Sequence, residues 1–86
     1  MAPTIHLNGT SKKDLVAEYE HAMVALDRAQ EALQQITVHG RDYYVQSPNA
    51  INGAISESKY RIDRVRDVRK EIEEIFSKIL DQEGAL

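Results

Sequence analysis

Apolar residues recur along this chain at alternating steps of three and four, in two long runs separated by one polar, aromatic-rich stretch. In the first run Leu15, Tyr19, Ala22, Leu26, Ala29, Leu33 and Ile36 share one stripe. In the second the stripe is Ile51, Ile55, Ser58, Ile62, Val65, Arg69, Ile72, Phe76 and Ile79. Such heptad spacing marks a helix packed lengthwise on a partner. The pattern predicts a single all-α domain, an antiparallel two-helix hairpin.

Local signals set the expected boundaries. Ser11 precedes Asp14 by three residues, resembling a capping box with Asp in place of the usual Glu, and opens a first helix over 12–38. Gly40 is expected to end it in a left-handed C-cap. A connector follows over 39–47. Ser47 as N-cap with Pro48 at the first helical position then starts a second helix over 48–80. Gly53 weakens the start of that helix by about 1 kcal/mol relative to alanine. Residues 1–10 read as an extended arm, in which Thr4-Ile5-His6-Leu7-Asn8 alternates and puts Ile5 and Leu7 on one side. A lone strand of this length is not stable, so the arm must lie on the helices or pair with the arm of a neighbouring copy. Asn8-Gly9 marks a turn, and 81–86 is expected to be a flexible tail.

Two helices cannot enclose a core. Val16, Met23, Ala25 and Ala32 flank the first stripe, and Val68, Ile75 and Leu80 the second. Leaving roughly five large side chains wet would lose about 1.5–3 kcal/mol each, which rivals the whole stability of a small domain. With only 86 residues to draw on, the expected remedy is a homo-oligomeric helical bundle, a dimer or a higher closed assembly of the same face. No cysteine is present, so a disulfide framework and a thiolate metal site are excluded and a reducing compartment fits. Apolar runs are short and no charged start precedes an apolar block, so neither a membrane span nor a signal peptide is expected, and the protein reads as cytoplasmic. A net charge of −3 argues against general attraction to nucleic acid or anionic lipid.

Polar side chains carry what functional signal there is. Six of the eleven Lys and Arg residues fall between Lys59 and Lys70, yet Glu57–Arg61, Lys59–Asp63, Arg69–Glu73 and Lys70–Glu74 are four-apart helical pairs. The favoured reading is an ion-paired face facing Glu18, Glu20 and Asp27 across the hairpin. Arg69 stands where the stripe otherwise holds Ile, Val or Phe, so its guanidinium must either pair with a carboxylate or bind a ligand anion in a bundle pocket. In the connector, Arg41, Asp42, Tyr43 and Tyr44 could stack a base and hold its phosphate, or equally cap the open end of the apolar core. His6, His21 and His39 share no metal-ligand spacing, and no phosphate loop or nucleophile motif is present, so no cofactor, metal or catalysis is expected.

The segments Ile5-His6-Leu7-Asn8-Gly9-Thr10-Ser11 and His39-Gly40-Arg41-Asp42-Tyr43-Tyr44 resemble a group of short proteins encoded by tailed phages and prophages. In that group an IHLNGTS-like start and an (N/H)GRDYY connector bracket two helices, and the likeness extends to about Leu80. Val38 departs from it, standing where proline is expected. The resemblance implies a phage accessory protein in a bacterial host. In size and architecture alone, the chain is also similar to small helical phage proteins that sequester cyclic nucleotide signals of host immunity. By that analogy Asn8, Thr10 and Ser11 of one copy would join Arg41, Asp42, Tyr43 and Tyr44 of another in a composite anion site, favoured by the N–H groups opening the first helix. The alternative is an interaction module that docks on a host or phage protein and binds no small molecule.

Overall fold

The computed structural model describes residues 1–83 and is all-helical. Helix α1 spans Lys12–Gln34 and helix α2 spans Ala50–Leu80, packed antiparallel in a rod 64 Å long and 18 by 17 Å across. Ser11 opens α1 from extended backbone, its Oγ accepting from the Asp14 N–H at 3.1 Å. That bond satisfies one of the donors that a helix start leaves free.

Helix α1 stops at Gln34, four residues short of Val38. The Gln35 N–H is shared between the carbonyls of Glu31 and Ala32, each at 3.2 Å, and Ile36 N–H turns to Leu33 O at 3.3 Å. The ladder tightens just where Ile36, Thr37 and Val38 bring three β-branched residues in a row, which lose side-chain freedom in a helix. Gly40 does not cap it, since no glycine among the described residues has positive φ. Instead Gly40–Asp42 forms a 3-10 turn in which His39 Nδ1 accepts from the Arg41 N–H at 3.0 Å. Helix α2 begins at Ala50 rather than Pro48, with Asn49 at its cap making no side-chain bond. Ser47 contributes only its carbonyl, which accepts from the Ala50 N–H at 3.3 Å. Ser47-Pro48 is therefore a turn ahead of the helix.

The stripes hold through the middle of the rod and slip at its connector end. Ile55 is 51% exposed, and Ala54 is turned inward in its place. On α1, Ala29 is exposed and Gln30 half-buried, while Ile36 lies beyond the helix end and is exposed. A straight helix of 3.6 residues per turn drifts about 20° per heptad from a strict 3.5 repeat, so over two or three heptads the stripe turns by roughly 40–60°, about half the 100° between neighbouring residues, and an adjacent position comes to share the inward side.

Only Ile79 is fully buried among the described residues. It lies where three segments meet. One residue on, the Leu80 carbonyl accepts from Lys12 Nζ of α1 at 3.0 Å. Three residues on, the Gln82 side-chain amide holds the N-terminal arm: its Oε1 accepts from the Ile5 N–H and its Nε2 donates to Pro3 O, both at 2.8 Å. Lys12 Nζ also donates to the Gln82 carbonyl. Gln82 is thus a clamp, not part of a free tail; residues 84–86 of that expected tail lie outside the described residues. The arm rests on its own chain. It does not keep the expected alternation, for Ile5 is half-buried while Leu7 is exposed. A turn closed by Gly9 N–H to His6 O at 3.2 Å reverses the chain there. A Cβ on Gly9 would stand 2.7 Å from His6 Nε2, so a larger residue there would displace the exposed His6 ring.

Candidate functional site

The residues singled out by the sequence fall in three separate places along the rod. Asn8, Thr10 and Ser11 are exposed at the end where the arm folds back, and the Ser11 hydroxyl is committed to capping α1. Arg41, Asp42, Tyr43 and Tyr44 sit at the other end, beyond the 23 residues of α1, a helix about 35 Å long. Arg69 lies between them. One copy of the chain therefore does not bring the arm and the connector together.

At the connector, the two tyrosines divide the roles proposed for them. Tyr43 is half-buried and walls a recess of about 100 Å³ with Leu33, Ile36, Val38 and Ala54, closing the open end of the helix pair. Tyr44 is 71% exposed, and Arg41 and Asp42 are exposed beside it. Among the described residues neither Arg41 nor Asp42 takes part in an ion pair. The recess is of a size for a few waters rather than a nucleotide.

Arg69 is answered within the chain. Its Nε donates to Asp27 Oδ1 across the hairpin at 3.0 Å, and a terminal nitrogen pairs with Glu73 one turn on. The side chain keeps 30% exposure, so the stem lies on the stripe and the charge reaches its edge. The hydrogen bond to Asp27 raises its pKa above the ordinary arginine value, desolvation opposes this, and the charges of Asp27 and Glu73 add to it. Arg69 remains a fixed cation.

The basic stretch of α2 is only partly paired. Arg61 meets Glu57 at 3.5 Å, and Asp63 takes Arg66 at 3.1 Å in place of Lys59. Arg64 instead lies over the Tyr60 ring, 5.3 Å from its centroid. Next to this pair opens a shallow groove of about 380 Å³ lined by Leu26, Leu33, Val65, Val68, Arg61 and Arg64. On the α1 side its walls are Leu26 and Leu33, two turns apart, and between them Ala29 is exposed while Gln30 is half-buried.

Sequence reasoning missed Gln82 and Lys12, which join the termini over 77 and 68 positions respectively. No local pattern marks them, because a side-chain amide pairing with distant backbone has no spacing rule. Among the described residues no group of three or more His, Asp or Glu is placed to hold a metal ion. None of the described helices is long and apolar enough to cross a membrane.

No protein-family model, curated protein or solved structure matches this chain.

Proposed function

We propose that this chain is a non-catalytic helical interaction module, made in a bacterial host by a phage or prophage, whose working surface is the open apolar seam between α1 and α2. The observation that carries this is the state of the core: a rod 64 Å long with Ile79 as the single fully buried side chain among the described residues. Most other stripe residues are half-buried and Val24, Ile55, Val68 and Leu80 are exposed, so the hairpin leaves part of its apolar surface in water, and further helices laid on the seam remove that cost. Resemblance to the phage proteins supports the setting.

A second reading keeps the connector as a ligand site. Tyr44, 71% exposed, beside Arg41 without an ion-pair partner favours it, since an aromatic face next to a free guanidinium suits a nucleotide. On this reading assembled copies form a sponge for a small anion such as a cyclic nucleotide, antagonising host defence.

Native mass spectrometry of the purified protein with a panel of cyclic di- and trinucleotides separates the two. The module retains none of them. A nucleotide held by the wild type and lost in Arg41→Ala, with melting temperature unchanged, would overturn the module in favour of the sponge.

A further inference from the structure

Charge along α2 is segregated. Residues 59–70 carry six Lys and Arg against two Asp, a net +4, and residues 71–83 carry five Asp and Glu against Lys78, a net −4. The groove lies within the basic stretch, next to the boundary. Val68, 45% exposed, is the last α2 residue that lines it, Arg61 and Arg64 line its other end, and the acidic stretch begins three residues beyond Val68 at Glu71. Arg64 and Glu71 are seven residues apart, hence on the same side of the helix, as are Arg61, Val68 and Ile75.

We infer that the groove seats a second copy of this chain, antiparallel to the first, with the two-fold axis at Val68. This rests on the module reading above and names its partner. The axis lays Val68 on Val68 and Ile75 on the apolar stem of Arg61. Arg64, four residues before the axis, then comes opposite Glu71 of the second copy, three residues after it. A parallel arrangement would instead set +4 on +4 and −4 on −4, which like-charge repulsion penalises. With the axis at Val68, residues 56–80 of α2 face one another between the copies, about 36 Å of helix along the 64 Å rod. The isologous contact also closes on itself, so assembly ends at a four-helix dimer.

The chain has no cysteine, which makes the orientation directly measurable. Leu7 in the arm and Val45 in the connector are exposed at opposite ends of the rod. A flexible bismaleimide is expected to join Leu7→Cys to Val45→Cys when the two variants are mixed and to join neither variant to itself. Sedimentation of the wild type is expected to give a dimer. Arg64→Glu weakens self-association by about tenfold, and mixing it with Glu71→Arg restores a heterodimer; circular dichroism checks that both variants stay helical. Self-linking of each cysteine variant, or an Arg64→Glu dimer as tight as wild type, overturns the antiparallel pairing. A wild type that stays monomeric at every concentration overturns self-pairing and assigns the groove to a different chain. The module itself fails on the separate outcome of nucleotide capture.

Discussion

Arg69 of α2 and Asp27 of α1, 3.0 Å apart, form the one ion pair that joins the two helices among the described residues. Apolar contacts along the stripe are non-directional, so this pair, together with the bond from Lys12 Nζ to the Leu80 carbonyl, helps to distinguish the native register from one shifted by a heptad. Asp27→Ala is expected to lower the melting temperature by a few degrees, since the pair is half in solvent and screened there. Arg69→Leu, which restores an apolar stripe, is expected to melt at or above the wild-type temperature. Thermal denaturation of both variants and the double mutant tests this. A larger loss in Arg69→Leu than in Asp27→Ala would show that the guanidinium has a partner beyond Asp27 and Glu73.

The Gln82 clamp depends on both ends of its amide. Gln82→Ala removes the acceptor for Ile5 N–H and the donor to Pro3 O, at a cost of about 1–3 kcal/mol for two part-buried bonds. Gln82→Glu keeps the acceptor but sets a carboxylate against the Pro3 carbonyl, so it is expected to free the arm nearly as well. Hydrogen exchange at the Ile5 amide reads the result. Protection that survives in Gln82→Ala would mean the arm is held by other contacts.

Capping differs between the two helices. Ser11→Ala is expected to destabilise the fold by about 1 kcal/mol, because its Oγ accepts from the Asp14 N–H. Asn49→Ala should stay within about 0.5 kcal/mol of wild type, because Asn49 makes no side-chain cap bond. Urea denaturation of the pair distinguishes them. Equal losses would show that Asn49 caps α2 in solution.

Gly53 has ordinary helical backbone, and a Cβ built on it meets nothing within 4 Å. Gly53→Ala is therefore expected to stabilise α2 by up to about 1 kcal/mol, seen as a higher melting temperature. An unchanged or lower value would place another chain against this position. Gly9→Ala should differ in kind, since its Cβ collides with the His6 ring and local exchange in residues 6–9 should rise as the ring is displaced.

Periodicity by itself determined that this protein is two helices folded on each other, and the Ser11–Asp14 spacing placed the start of the first, because both depend on neighbours a few residues apart. The ends that it misplaced, Val38 and Pro48, depended on competition between weak local signals: a β-branched run outweighed Gly40, and Ser47-Pro48 made a turn before the helix. Tertiary structure alone decided the rest. Whether Ile55 or Ala54 and Ala29 or Gln30 face inward followed from how two straight helices, drifting against a 3.5-residue repeat, pack on each other. Gln82 could find Pro3 and Ile5, and Arg69 could find Asp27, only once the hairpin had brought together residues that the chain keeps tens of positions apart. Directional contacts between distant residues leave no period in a sequence, whereas burial on a helix face does.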